Sequence, residues 1–292
     1  MNKTDDLVAL INENFHFMSK GHKQIAKYIL SNYDKAAYMT AIKLGDSAGV
    51  SESTIVRFAM GLGFEGYPEL QRALQDMVRN KLTTIQRMDM TAELSQSMLL
   101  RSVLKADLNN MKLTMEEINT DIYEDIVDEI YSAKTVYIMG VRSSAPLAQF
   151  LGYYLNFILD NVRIVTSSVN DILEQVIHIG EEDALICISF PRYSRKLIEA
   201  VKFAKNRNAN IISITDSYKS PLIKYSKLSL TARSDIASFV DSLVAPMSLI
   251  NALIVAIGIK QKQQSAKHFM ELEKIWAEYD VYIEKDDEEN IT

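Results

Sequence analysis

The sequence predicts two domains of different class: an all-α domain at the N-terminus, followed by an α/β domain with a parallel sheet in three αβα layers. Three observations carry this. Residues 1–80 hold no convincing strand but repeat apolar residues at helical spacing. Beyond about residue 130, five short runs rich in Val and Ile alternate with helical stretches, the pattern of βαβ units. The length of 292 residues suits two domains, at roughly 100–200 residues each.

Taken in order, the first apolar stripe runs through Leu7, Leu10 and Ile11, and the next through Ile25, Ile29 and Leu30. Further helices are expected around 40–48, 52–62 and 68–79, making five short helices in a domain over 1–80. From about 81 to 130 the chain stays helical, with neither Pro nor Gly, and becomes polar and methionine-rich through Met88, Met90, Met98, Met111 and Met115. Methionine-rich helices serve as packing surface. Residues 81–120 are read as a helical connector that also offers a dimer surface. Strands are expected at 135–139, 162–166, 184–188, 210–214 and 227–231. Their unbroken apolar character matches burial on both faces of a parallel sheet. The second domain is set at 121–280, and the acidic stretch 281–292 is expected to be a disordered tail.

Bulk properties narrow the classes. Hydrophobic content of 48% with 24% charged residues is ordinary for a soluble globular chain. The single cysteine, Cys187, lies in an apolar run, which excludes an intrachain disulfide and fits a reducing compartment. The N-terminus lacks the order of a signal peptide, and no uncharged apolar run reaches the ~20 residues of a membrane helix. The nearest, 243–259, contains Pro246, Asn251 and Gly258 and reads as a buried helix. A cytoplasmic protein with no membrane association is expected. The net charge is −6, yet residues 1–80 hold nine basic and nine acidic residues. The acidity therefore belongs to the remainder, and the first domain is neutral. Neutrality permits nucleic acid binding but predicts modest non-specific affinity.

The segment from Ala41 to Phe58 meets the demands of a helix-turn-helix. Two helices crossing steeply need a small residue at their contact, and Gly45 supplies it. Gly49 stands at the turn, where a positive φ is easiest for glycine. Val50 fills the space between the helices, and Ser51 suits the cap of the second helix. Ile55, with Phe58 or Ala59, gives that helix a buried face, leaving Ser51, Glu52, Ser53, Val56 and Arg57 more exposed. Residues at the start of such a helix enter the major groove. Short hydroxyls reach bases or phosphates there, and arginine grips guanine or a phosphate. A plain helical hairpin with a well-formed turn explains the spacing alone equally well.

The wider segment is more specific. Val50-Ser51-Glu52-Ser53-Thr54-Ile55-Val56-Arg57-Phe58, with Leu62-Gly63-Phe64-Glu65-Gly66-Tyr67 after it, closely resembles the DNA-binding domain of the RpiR family of bacterial regulators. The resemblance implies a double-stranded DNA operator contacted by Ser51, Glu52, Ser53, Thr54 and Arg57. It departs from the family at Gly45, where alanine is usual, and at Met60-Gly61, where a basic residue is common.

Two strand-to-helix loops carry the second expected site. The first is Gly140-Val141-Arg142-Ser143-Ser144-Ala145 and the second Ser189-Phe190-Pro191-Arg192-Tyr193-Ser194-Arg195. Hydroxyls and free amides at a helix start bind anions, helped by the helix dipole. Both loops would lie at the carboxyl edge of the sheet, where open α/β folds bind ligands. Arg192 and Arg195 supply charge for a phosphate, and Tyr193 could cover a sugar face. A serine-capped helix without a ligand explains either loop alone.

Together the loops resemble the SIS (sugar isomerase) domain that RpiR-family regulators carry, over roughly 110–260. The family's G-x-G-x-S becomes Gly140-Val141-Arg142-Ser143-Ser144, with arginine in place of the second glycine. Its S-x-S-G-x-[ST] becomes Ser189-Phe190-Pro191-Arg192-Tyr193-Ser194. The resemblance implies a phosphorylated sugar effector whose phosphate is contacted by Ser143, Ser144, Ser189 and Ser194, beside the Arg192 and Tyr193 read from the loop's chemistry, with no cofactor, metal or catalytic residue. A homodimer or homotetramer is implied as well. The main alternative is a phosphosugar isomerase with an accessory helical domain, and a third is an interaction module with a vestigial site. An isomerase needs a base near pH 7; Glu174 and His178, four apart on an expected helix, could form such a pair, but they read first as an ordinary solvated helix face, and no other His–carboxylate grouping stands out.

Overall fold

The computed structural model describes residues 7–81, 84–89, 91–92, 94–166, 171–236 and 238–282. The chain divides into two compact units: residues up to 106 with 235–241, and 107–234 with 242 onward.

The first unit contains α1 (Leu7–Asn14), α2 (Lys20–Ser31), α3 (Tyr33–Ala36), α4 (Ala41–Ala48), α5 (Glu52–Gly61), α6 (Tyr67–Lys81) and α7 (Thr84–Asp89). Six helices therefore stand where five were expected over 1–80, because the short α3 follows α2 after a single residue, Asn32. The stripe of Leu7, Ile11, Ile25, Ile29, Leu44, Ile55, Phe58, Leu70 and Leu74 forms one buried core. Three side chains of α6 satisfy carbonyls left open at the end of α3. Tyr67 Oη and Gln71 Nε2 each donate to Met39 O at 2.7 Å, and Gln75 Nε2 donates to Ala37 O at 3.0 Å. Arg87 of α7 is fully buried, 4.0 Å from Asp241.

The helix α8 (Gln96–Glu117) begins in the first unit and ends in the second. The second unit continues with α9 (Thr120–Ser132), β1 (Val136–Gly140), α10 (Ala145–Ile158), β2 (Val162–Val165), α11 (Ile172–Gln175), β3 (Ala184–Ile188), α12 (Arg195–Asn206), β4 (Asn210–Thr215), β5 (Leu228–Thr231), α13 (Val244–Lys260) and α14 (Lys262–Glu278). All five strands fall on the expected apolar runs. They pair in parallel in the order β2-β1-β3-β4-β5.

Side chains alternate across this sheet, as a pleat of period two requires. Val136, Ile138, Ala184, Ile186, Ile188, Ile212 and Ile214 face a core shared with α9, α10 and α13. Tyr137, Met139, Leu185, Cys187 and Ile211 face the other way, against α11 and α12. Each face is covered by helices, which is why the strands read as unbroken apolar runs. Residues 243–259 form the expected buried helix: seven side chains of α13 lie in the core. Among the described residues no single helix is long and apolar enough to cross a membrane.

One expectation fails. Glu174 and His178 do not share a helix, because α11 ends at Gln175 and His178 lies in the turn that follows. The run 172–178 is too short to build two helical turns before the chain bends toward β3. The expected tail lies almost wholly outside the described residues.

Candidate functional site

Two surfaces answer to the sequence reading, one in each unit. In the first unit, Thr40 caps α4 by accepting the Lys43 N–H at 3.2 Å. Gly49 ends that helix with φ +71° in the left-handed region, the helix stop glycine favours. Val50 N–H then donates to Gly45 O at 2.9 Å, closing the turn. A Cβ on Gly45 would sit 2.7 Å from Val50 O. The close crossing of α4 and α5 therefore needs a glycine here, not merely a small residue.

The start of α5 presents Ser51, Glu52, Ser53 and Arg57 to solvent. Val56, expected to be exposed, is half-buried against the helical core. Thr54 is half-buried too: its methyl lies toward Gly21 of α2, at 3.4 Å from where a Cβ would stand. Ser51 occupies the cap position with φ −75° and ψ 156° but makes no cap hydrogen bond. Its hydroxyl pairs instead with Thr54 Oγ1 at 2.8 Å and Ser53 Oγ at 3.0 Å. Arg57 Nε donates to Ser53 O at 3.2 Å, which lays the guanidinium along the exposed face of α5. Behind that face the His22 ring packs edge-on against Phe58, with centroids 5.6 Å apart. Partial burial, then the Arg57 charge, lowers its pKa below the usual histidine range. Arg57 is an exposed cation on this face.

In the second unit, the strand order places the reversal of winding between β1 and β3, where open α/β sheets bind ligands. Gly140 pairs with Ile188 in the register, so the two loops leave the sheet at one level. A Cβ on Gly140 would meet Ser144 O at 2.5 Å and Ala148 Cβ at 2.9 Å. The absence of a side chain is what lets the first loop fold back over the strand end into α10.

Between the loops lies a cleft of about 520 Å³ lined by Val141, Arg142, Arg192, Tyr193, Ser194, Arg195 and Lys196. Four of these seven are cations and none is a carboxylate or a histidine. Arg142 comes from the first loop and the other three from the second loop and the start of α12. Ser194 caps α12 in position, yet its side chain makes no hydrogen bond to its own helix. The hydroxyl and the first-turn amides of a 12-residue helix are thus available to an anion. Tyr193 Oη donates to Asp216 Oδ1 at 2.5 Å, and Ser217 Oγ donates to Asp216 Oδ2 at 3.1 Å. Lys196 Nζ lies 3.4 Å from Asp171 Oδ2. The backbone N–H of Leu173 and then Lys196 hold the Asp171 carboxyl below its ordinary range.

Arg142 and Arg192 share a conformation that few arginines adopt. Their φ angles are +56° and +66°, the left-handed region where a side chain costs backbone energy. Arg142 stands where the resemblance places glycine, whereas Arg192 belongs to the S-F-x-R-Y-S form that regulators of the resembling family often have.

Of the expected ligand residues, the cleft gathers Arg192, Tyr193 and Ser194 on its wall. Ser144 and Ser189 are buried, with Ser144 N–H donating to Val141 O at 3.2 Å and Ser189 N–H to Ile214 O at 3.1 Å. Ser143 is exposed and not among the lining residues. The sequence reading had passed over Arg142 and Lys196 as cleft residues. The sequence does carry a signal for Arg142, since a cation at a glycine position of an anion-binding loop is itself informative.

Comparison with known proteins matches both units. Residues 6–81 match the model of the helix-turn-helix domain of the rpiR family, and residues 129–256 match that of the SIS domain. An uncharacterized HTH-type transcriptional regulator of Clostridium perfringens is 28% identical over 74% of this chain and 77% of its own length. The HTH-type transcriptional regulator HexR of Pseudomonas aeruginosa is 22% identical over 92% of this chain and 95% of its own. Among solved structures, the sugar isomerase domain of an RpiR transcription factor from Sphaerobacter thermophilus matches with a TM-score of 0.58 and 24% identity, covering 60% of this chain and 98% of that one. The Vibrio vulnificus NanR protein complexed with ManNAc-6P matches with a TM-score of 0.54 and 20% identity, covering 94% and 98%. At these identities the structures establish the fold.

Proposed function

The chain belongs to the RpiR family of transcriptional regulators, a helix-turn-helix domain followed by a SIS domain, and from that premise we propose that a phosphorylated sugar in the cationic cleft sets its affinity for a DNA operator. The observation that carries the effector half is the cleft itself. It sits at the β1/β3 reversal, opens onto the start of α12, and is walled by Arg142, Arg192, Arg195 and Lys196. A phosphate monoester is the anion that matches helix amides, a serine hydroxyl and guanidinium forks together. The bound ManNAc-6P of the NanR complex supports a phosphorylated sugar as the class.

In this reading Ser51, Glu52, Ser53 and Arg57 at the start of α5 meet the major groove, and Thr54 contributes through its hydroxyl. Residues 1–80 read the operator, 81–120 join the halves, and 121–280 hold the effector, with Ser143, Ser144 and Ser189 shaping the loops. The protein acts in the cytoplasm as a homodimer or homotetramer, since half-site spacing is set by subunit geometry. It senses its ligand without converting it. Isomerisation needs a general base, and the lining residues of the cleft include neither carboxylate nor histidine.

A thermal-shift screen of sugar phosphates, followed by a turnover assay on each one that stabilises the protein, tests this. Stabilisation without conversion is expected; conversion identifies an isomerase instead.

A further inference from the structure

The chain passes between its two units at three places: within α8 after Ala106, outward after Ser234, and back after Asp241. Inside the second unit, side chains fasten these passages to one face of α8. Ser242, where the chain returns, donates its hydroxyl to Asp107 Oδ1 at 2.6 Å. Arg233, beside the outward passage, donates its backbone N–H to the buried Thr114 Oγ1 at 2.9 Å. Its guanidinium grips Glu117 with two prongs, Nε at 2.9 Å and Nη2 at 2.6 Å. Residues 107, 114 and 117 share a side of the helix by their spacing. An acid on the last turn of a helix opposes the helix dipole, so Glu117 is stabilised there by Arg233 and not by its own helix. A forked guanidinium–carboxylate pair backed by a main-chain bond fixes direction, unlike a loose surface ion pair.

The same stretch reaches the cleft. Ala232 N–H donates to Thr215 O at 2.8 Å, carrying the β4–β5 ladder one residue past Thr231. Thr215 precedes Asp216, which accepts from Tyr193 of the cleft wall. From Tyr193 to Arg233, hydrogen bonds and covalent neighbours follow without a gap. Such contiguous bonded chains are what can carry coupling between distant sites. We propose, resting on the reading that a sugar phosphate sets operator affinity, that Arg233 is the positioning residue of that coupling. Its hold on Thr114 and Glu117 passes a shift at the ends of β4 and β5 to α8, the helix that continues into the helix-turn-helix unit. Arg233 touches neither the lining of the cleft nor the exposed start of α5, so each binding event survives without it and only their linkage is lost.

Arg233→Glu sets two acids against each other, and Arg233→Glu with Glu117→Arg restores the pair in reverse. Glucose 6-phosphate, fructose 6-phosphate and ManNAc-6P serve as probes, with binding read by calorimetry on the full chain. Operator binding is read by anisotropy on a labelled duplex selected from a random pool by the ligand-free protein. In the wild type a bound probe is expected to shift operator affinity by about fivefold or more. In Arg233→Glu the shift is expected to shrink below about twofold, while probe affinity and ligand-free operator affinity each stay within about threefold of wild type. The double variant is expected to recover most of the shift. If Arg233→Glu does not fold, Glu117→Gln takes its place with the same expected loss. A full shift in the single variant overturns the proposal, and so does a loss that the reversed pair does not restore or that comes with lost probe binding. These outcomes leave the phosphosugar reading intact. No shift in the wild type with a probe bound, or no binding of any probe, defeats that reading and the proposal with it.

Discussion

Tyr193 donates its hydroxyl to Asp216 at 2.5 Å, which ties the aromatic wall of the cleft to the end of β4. Asp216 also accepts from Ser217, so the carboxylate anchors the second loop to the neighbouring strand. Tyr193→Phe keeps the ring and removes the tie. Affinity for whichever sugar phosphate stabilises the protein is expected to fall about threefold to tenfold by calorimetry, in line with one hydrogen bond worth roughly 0.5–1.5 kcal/mol. An unchanged affinity would show that the loop holds its shape without this bond.

Gly45 gives a prediction that runs against its own propensity. Alanine is favoured over glycine inside a helix by ~1 kcal/mol, and alanine is usual here in the resembling family. In this chain, however, a Cβ would stand 2.7 Å from Val50 O, a backbone atom fixed by its own turn. Gly45→Ala is expected to destabilise the first unit by about 1–3 kcal/mol, as other overpacked sites do. Urea unfolding followed by far-UV circular dichroism checks the sign, since a gain would mean that α4 and α5 separate freely.

Alkaline pH should weaken both units, each through one buried acid. Burial pushes the Tyr67 phenol up from 10.0 to about 12 and the Cys187 thiol from 9.0 to about 12. Each group stays neutral in the fold while its unfolded counterpart ionises. The stability that depends on them is therefore complete below about pH 9 and lost as pH climbs toward about 12. Unfolding free energies measured across that window should decline, and Tyr67→Phe should flatten the part above pH 10. A wild-type profile level from pH 9 to 12 would contradict the burial of both groups.

The two surfaces should separate by mutation. Arg57 is exposed and bonded only along its own helix, so Arg57→Ala should leave the melting temperature nearly unaltered. Operator affinity should fall by about tenfold or more, given roughly 1–3 kcal/mol for a good arginine contact. Ser194→Ala should weaken effector binding without touching operator binding by the ligand-free protein. Fluorescence anisotropy on labelled operator and calorimetry on effector distinguish them. Loss of both activities in either variant, with the fold intact, would refute the division of labour.

Much of this molecule was legible in its sequence, and the reasons differ by element. The five strands declared themselves because burial on both faces demands an unbroken Val- and Ile-rich run. Gly49 and Val50 were legible because a turn this tight leaves few residue choices. Ser51 sits at the expected cap, yet its hydroxyl chose Thr54 and Ser53, a competition between local partners that spacing cannot decide. The cleft was half-legible. Tyr193, Ser194 and Arg192 follow from the loop pattern, whereas the burial of Ser144 and Ser189 depends on how each loop folds over its strand. Arg142 escaped because its place in the cleft goes with a backbone φ of +56°, which the residue type argues against. The Glu174–His178 pairing failed for the same kind of reason: four-residue spacing places two side chains on one face only where a helix continues.

The central claim is that a sugar phosphate in the cleft alters the hold on DNA. Operator affinity of the full chain, measured by anisotropy with and without a sugar phosphate already shown by calorimetry to bind, tests it most directly. The expected result is a change of about fivefold or more in operator dissociation constant, the range of ordinary allosteric coupling, abolished in Ser194→Ala. An operator affinity that stays the same when the cleft is saturated would contradict it.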